Sequence, residues 1–468
     1  MSINPEFRRN LWLHISWQRL FAAPTVTALA VGAFAASQHP EWLYKAAGLA
    51  CSVVLGLWGT RRAADSLSEE VSGGTWESQR MSGLGAWQMA WGKLVGGTAF
   101  VWYCAAFAIL VLVGTRLQMA AAFPREEPLL LTVYNLVLGG LLAHCVAFAV
   151  AIVLLRKALS YRRLTITLAQ TCGFVAFLTF AYGGVQVTGV SNPYQDVQGL
   201  LGPEPGWFGN EVQAEFLRAF AITVFGAWTI LAIYRLMRLE LQYRNWPWAW
   251  TTFVGFMLLF AAGLKFDTSS GAVGWLIGPV LMGVFLTYTS LFGDVRDPVR
   301  YRWALRAMRS GDVGQALYST PWWLISLLAT IGVAVAAIVV LPNAEGLVAG
   351  GMELGRLFGM FDVRQLQASL VLLLLFMLRD ILVVLWLSSG ARRQRADVSG
   401  LAFLVIAYVP LAAILLGLGG GKTFLPLVIP AAVSGTLFDF IPIVIEVAII
   451  GFMLYRRWQA ATQLGKKY

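Results

Sequence analysis

SLSEEVSGGTWESQRMSGLGAWQMAWGKL, residues Ser66–Leu94, is the longest polar interruption in the first half of this chain, and a hydrophobic run stands on either side of it. It carries an acidic pair, Glu69 and Glu70, then a Gly73-Gly74-Thr75 turn, then a short amphipathic run from Trp76 to Met81. A Gly92-Lys93 pair follows as the next apolar segment begins. The stretch holds too few Pro and Ser residues, and too many bulky apolar ones, for a linker. Its pattern predicts a short helix lying at a membrane surface and offered to the aqueous phase.

The flanking composition sets that reading. The chain is 58% hydrophobic and only 13% charged, against about 25% charged in a soluble domain. Several apolar runs reach the length of about 20 residues that a helix needs to cross the hydrocarbon core. The expected fold is an all-α polytopic membrane protein. Residues Asn4–Arg19 place Phe7, Leu11, Trp12 and Ile15 near one face and Arg8, Arg9 and Arg19 elsewhere, as in a permanent helix lying flat among the headgroups. Cys51, Cys104, Cys145 and Cys172 all fall inside apolar runs without a CxxC pair, so they read as small core hydrophobes rather than metal ligands or a disulfide framework.

Twelve spans are expected, at about Leu20–Ser37, Trp42–Thr60, Trp87–Val113, Leu129–Leu155, Leu164–Val185 and Phe216–Leu236, then Trp248–Leu264, Val273–Phe292, Trp322–Leu341, Leu366–Ser388, Leu401–Leu418 and Phe438–Tyr455. An even number puts both termini on one side. The loops on that side hold 26 of the 35 Lys and Arg residues, whereas acidic residues divide almost evenly between the two sides. The bias is specific to Lys and Arg, which makes that side cytoplasmic. The net charge of +11 is therefore topological, and no nucleic-acid partner is expected.

The two sets of six share a layout, and two parallel repeats are the economical organisation, with residues 1–240 as one half and 241–468 as the other. Each set has a long cytoplasmic segment between its second and third spans and a long outer excursion between its fifth and sixth. Met81–Met89, MSGLGAWQM, lies faintly against Arg309–Leu317, RSGDVGQAL, 228 residues on. The second excursion contains TFLPLVIPAAVSG, too short and too proline-broken for a span, and reads as a re-entrant dip.

On the amphipathic elbow Asn4–Arg19, the Glu70–x(3)–Gly74-Thr75-x-Glu77 segment, the Gly92-Lys93 pair and the broken outer excursions, the chain resembles the ABC-exporter permeases of the type-2 class. The first half matches throughout; the second matches in layout but has Leu305 at the position of Glu77, among Arg296, Arg300, Arg302, Arg306 and Arg309. The resemblance implies a permease in the bacterial cytoplasmic membrane, two six-span halves fused, that is not itself an enzyme. It implies two cytoplasmic ABC ATPase subunits that carry ATP and magnesium, and a small amphiphilic or lipid-like substrate. Glu69, Glu70, Gly74, Thr75 and Glu77 would couple one half to its ATPase, and Arg302, Arg306 and Asp312 the other.

Arg379 and Asp380 lie deep in the tenth expected span and Glu446 deep in the twelfth. At 1.5 Å per residue both depths are roughly 15–16 Å from the cytoplasmic end. Ionisable groups so placed pair or face water, so an Arg379–Glu446 pair is expected, with Asp380 as a second acceptor, serving as a helix clamp or lining a substrate path. These charges also suit an ion-coupled secondary transporter, the alternative function. His144 reads as a hydrogen-bonded core histidine. Trp42, Trp87, Trp246, Trp248, Trp250, Trp322 and Trp323 read as an interfacial belt, and Trp207 and Phe208 as residues near an exit. Gly419–Thr423 imitates a phosphate loop, but Leu416 stands where that motif needs glycine.

Overall fold

A computed structural model describes residues 4–35, 40–119, 128–156, 162–182, 206–208, 210–212, 214–264, 271–294, 296, 298–340, 363–389, 396–417, 428–430 and 437–464. Two compact units emerge. One comprises Met1–Gln195 and Val212–Asn245, the other Asp196–Glu211 and Trp246–Tyr468. The division falls five residues beyond the expected boundary, and part of the first outer excursion belongs to the second unit.

The first unit begins with α1, Pro5–His14, whose N-terminus is closed by Asn4: its side chain accepts from the Glu6 amide at 3.0 Å, with Pro5 in the first turn. Next come α2, Trp17–Ala35, and α3, Pro40–Cys51. Without a break, α3 passes through a π-helical stretch, Ser52–Gly59, into α4, Thr60–Ser72. Wide π turns leave carbonyls to be satisfied from outside the helix. His144 bonds the Leu55 oxygen at 2.9 Å and Gln170 donates to the Leu57 oxygen at 3.0 Å. His144 is thus a hydrogen-bonded core residue, stacked edge-on against Trp102.

The 33 residues Pro40–Ser72 span roughly 50 Å at 1.5 Å per residue, well beyond the hydrocarbon core of about 30 Å. The expected span ends at Thr60, but the helix runs on for three more turns of mostly polar sequence. After a turn at Gly74, α5 covers Trp76–Arg80, and α6 runs over Ala86–Gln118. Then follow α7, Leu129–Arg156; α8, Arg162–Tyr182; and α9, Ala214–Glu240. The core of this unit gathers Cys51, Leu55, Val101, Ala105, Leu136, Ala143 and Phe177.

The second unit holds a two-stranded hairpin, β1 (Gly206–Trp207) with β2 (Asn210–Glu211). The Phe208 amide donates to the Gly263 oxygen at 3.0 Å, and its ring stacks on Trp275. Trp207 and Phe208 thereby pin part of the excursion to α10, Trp248–Gly263, and α11, Gly271–Gly293. The remaining helices are α12, Pro298–Ser310; α13, Val313–Ser319; α14, Trp322–Val340; α15, Val363–Ser388; α16, Ala396–Tyr408; α17, Pro410–Gly417; and α18, Ile441–Leu464. The eleventh expected span is not one helix, because Pro410 divides it. TFLPLVIPAAVSG lies outside the described residues except at 428–430, and Gly419–Thr423 lies outside them altogether.

Among the described residues, each of the twelve expected segments overlaps helix, the eleventh in two pieces. Among the described residues, nine helices are long and apolar enough to cross a membrane, and Trp248–Gly263 and Ala396–Tyr408 are shorter apolar helices. The protein is therefore an α-helical, multi-pass membrane protein. One arrangement recurs inside each unit. Tyr134 meets Thr223 at 2.5 Å and Arg156 meets Glu240 at 3.0 Å, so α7 and α9 run parallel. Arg379 meets Glu446 at 3.0 Å and Arg457 donates to the Trp386 oxygen at 2.7 Å, so α15 and α18 run parallel too. The fourth and sixth helices of each half are thus paired in the same sense.

Candidate functional sites

Lys93 organises the first site. Although it is an ammonium, it is wholly buried. Its three N–H bonds meet three acceptors on three separate elements: Glu6 of α1 at 2.8 Å, Glu70 of α4, and Gln79 of α5 at 2.6 Å. The donor set of an ammonium is thereby filled. The Trp76 ring covers the charge from a fourth side, 5.5 Å away. Arg9 closes the cluster by binding both Glu6, at 2.8 Å, and Glu70. Two cations face two carboxylates, so the nest is neutral. Breaking such a buried pair on one side costs about 3–5 kcal/mol, because it strands the other charge.

Close backbone approach makes this contact possible. A Cβ on Gly92 would sit 2.7 Å from Glu6 Cβ, one on Gly96 2.7 Å from Asn10 Cβ, and one on Gly97 2.9 Å from Ser66 Cβ. Gly92 and Gly96 seat α1 against α6, and Gly97 seats α4, in the small-residue manner of membrane helix pairs. Asn4 adds a bond to the Gln88 oxygen at 2.7 Å. At the far end of α1, His14 meets Arg62 of α4 at 2.9 Å, while Arg19 donates to the His14 oxygen. Burial first, then Arg62 and Arg19, push the His14 imidazolium pKa down to about 4. The elbow helix, α4, α5 and the start of α6 are held as one body.

Beyond this lock lies the expected coupling surface. Gly74 takes φ +71°, in open space, which lets the chain reverse. The Thr75 amide and hydroxyl both donate to the Glu70 oxygen, at 3.1 and 3.2 Å. Glu77 is 77% exposed and pairs only locally with Arg80 at 3.1 Å. Glu69, about half exposed, faces Arg62 at 3.6 Å. Glu70, expected on the partner-facing surface, is turned inward and belongs to the lock. The outward carboxylates are Glu69 and Glu77.

The corresponding stretch of the second unit is built differently. Asp312 caps α13 by accepting from the Gln315 amide at 3.0 Å. Arg302 lies over the Trp458 ring, and Arg306 is exposed. Trp303, Leu305 and Met308 are exposed beside it.

The membrane-depth charges form the second site. Arg379 gives Nε and Nη2 to Asp380 Oδ1, at 2.9 and 2.8 Å, and Nη1 to Glu446 Oε2 at 3.0 Å. Nη2 also donates to the Tyr408 hydroxyl at 3.1 Å. Asp380 Oδ2 accepts from the Tyr288 and Tyr408 hydroxyls, at 2.6 and 2.7 Å. The Phe376 ring lies 4.6 Å from the guanidinium. Arg379, Asp380 and Glu446 thus come together as their depths predicted. The sequence reading missed Tyr288 and Tyr408, which sit on two other helices and carry no spacing signal. A cavity of about 310 Å3 opens beside the cluster, lined by Arg379, Glu446, Phe403, Leu411, Ile449 and Ile450, among others.

Compared with known protein families, characterised proteins and solved structures, the chain matches none of them.

Proposed function

We propose that this chain is the transmembrane permease of an ATP-driven exporter of the ABC type-2 class, moving an amphiphilic or lipid-like substrate by alternating access. Its twelve helices would cross a bacterial cytoplasmic membrane with both termini inside. Two separate ATPase subunits would supply ATP, magnesium and hydrolysis. The observation that carries this reading is the Lys93 lock. A short exposed helix joined to the membrane by one flexible turn would absorb a push. Here α5 is bonded through Lys93 to α1, α4 and α6 at once, so a displacement at Glu77 moves the elbow helix and the second and third spans together. That is what a lever needs and what a surface loop does not.

The buried charges favour a second reading, an ion-coupled transporter. Asp380, however, is surrounded by donors on both oxygens. Two of those donors belong to the Arg379 guanidinium, whose opposite charge suits a fixed carboxylate better than a cycling one. The deciding experiment places cysteine at Glu77 and at the groove of the partner ATPase subunit expected to face it. A nucleotide-dependent cross-link is expected. Transport at full rate from liposomes holding no ATPase would reject the reading.

A further inference from the structure

Counting charges in the membrane-depth cluster leaves one over. Arg379 is matched by Asp380, which is fully buried and takes four donors, two from the guanidinium and two from tyrosine hydroxyls. The paired guanidinium favours the charged form of such a carboxylate, because it gives it two charge-assisted hydrogen bonds. Glu446 then adds a second negative charge, and among the described residues that line the cavity Arg379 is the one cation. Its single hydrogen bond among the described residues uses Oε2. The side chain is 42% exposed and lines the cavity beside it. The other described residues of that wall, Phe403, Ala407, Leu411, Val428, Ile449 and Ile450, are all apolar. A volume of about 310 Å3 falls at the small end of ligand pockets, and an apolar wall with one or two fixed polar groups is the usual ligand-site chemistry.

We propose that this cavity binds an amphiphile whose head is a protonated amine. The ammonium pairs with the Glu446 carboxylate. The alkyl part runs along Leu411, Ile449 and Ile450. Charge selects the head: an amine brings the cluster to neutrality, whereas a carboxylate or phosphate head would make its net charge more negative in an apolar wall. Burial of the tail contributes roughly fourfold in affinity per added methylene until the cavity is filled. The identity of the head group as exported substrate rests on the exporter reading above; the binding site itself rests on the geometry alone.

The test measures equilibrium binding of dodecylamine, dodecanol and dodecanoate to the full chain in nanodiscs of zwitterionic lipid, without any ATPase. Saturable dodecylamine binding is expected, at least tenfold tighter than dodecanol, with dodecanoate weakest. Glu446→Gln should remove the preference for the amine while leaving the dodecanol affinity within twofold. Ala407→Phe, which fills the cavity and leaves every charge in place, should abolish saturable binding of all three. A thermal melt of each variant within a few degrees of the parent shows that the fold is kept. Equal amine binding by Glu446→Gln and the parent would overturn the proposal. Tighter dodecanoate binding would overturn it too, by assigning the cavity to anions through Arg379. Either failure leaves the exporter reading standing, because that reading is judged by the cross-link at Glu77.

Discussion

The segments after the second expected span in the two units are tied down by different chemistry. Offset by 228 residues, Gly83 and Gly311 both take positive φ, +67° and +74°, so a left-handed turn follows α5 and α12 alike. The lock is not shared. At the same offset Glu70 becomes Pro298, Glu77 becomes Leu305 and Lys93 becomes Pro321. Pro321 also breaks the helix that runs on unbroken as α6 in the first half. The second half is tied instead by Asp294, which accepts from the Trp322 amide at 3.2 Å and from Arg300 at 3.4 Å. Arg300 in turn donates to the Thr320 oxygen, and Arg296 pairs with Asp397. One half is held by a cluster centred on the buried Lys93 ammonium, which bonds three elements at once, the other by a cap and by pairs that each join two groups. We read the first as the stiffer lever.

That contrast can be broken from the strong side first. Lys93→Met strands Glu6 and Glu70 beside a single arginine, and should destabilise the protein by about 3–5 kcal/mol, read as the largest drop in melting temperature. Gly96→Leu drives a side chain into Asn10 and should cost about 1–3 kcal/mol by overpacking, with α1 becoming accessible to protease. Asp294→Ala leaves the Trp322 amide and Arg300 without that acceptor, and should also cost about 1–3 kcal/mol, but at the second half alone. A penalty for Asp294→Ala equal to that for Lys93→Met would erase the proposed difference in stiffness.

A smaller effect sharpens the same comparison through pH. His14 titrates near 6.5 when unfolded and near 4 in the fold. Between those values the unfolded chain binds the extra proton, so the stability contributed by a neutral His14 is complete above about pH 6.5 and declines as pH falls toward 4. Melting curves at pH 7.5 and pH 5 should show the loss, and His14→Gln should shrink it.

Much of this was legible in the sequence because the relevant signals are local. Each expected span met a helix, since runs of apolar residues settle that at once. The Arg379–Glu446 pair followed from matched depths along two helices. The lock was not legible: Lys93 and Glu6 are 87 residues apart, and a lone Glu in an amphipathic helix reads as solvated. Gly92 and Gly96, four apart, were the available signal of a close helix contact. The extension of α4 was hidden because Arg61, Arg62, Asp65 and Glu69 end the apolar run while continuing the helix. The division at Pro410 could have been read from the proline itself.

The most direct measurement of the central claim is the ratio of ATP hydrolysed to substrate moved by the reconstituted complex carrying Glu77→Lys. Glu77 is exposed and, among the described residues, its ion pair is with Arg80, so stability should change by no more than about 0.5 kcal/mol. The lever account predicts that transport falls at least tenfold while the melting temperature holds and hydrolysis continues. An unchanged ratio at an unchanged transport rate would contradict it.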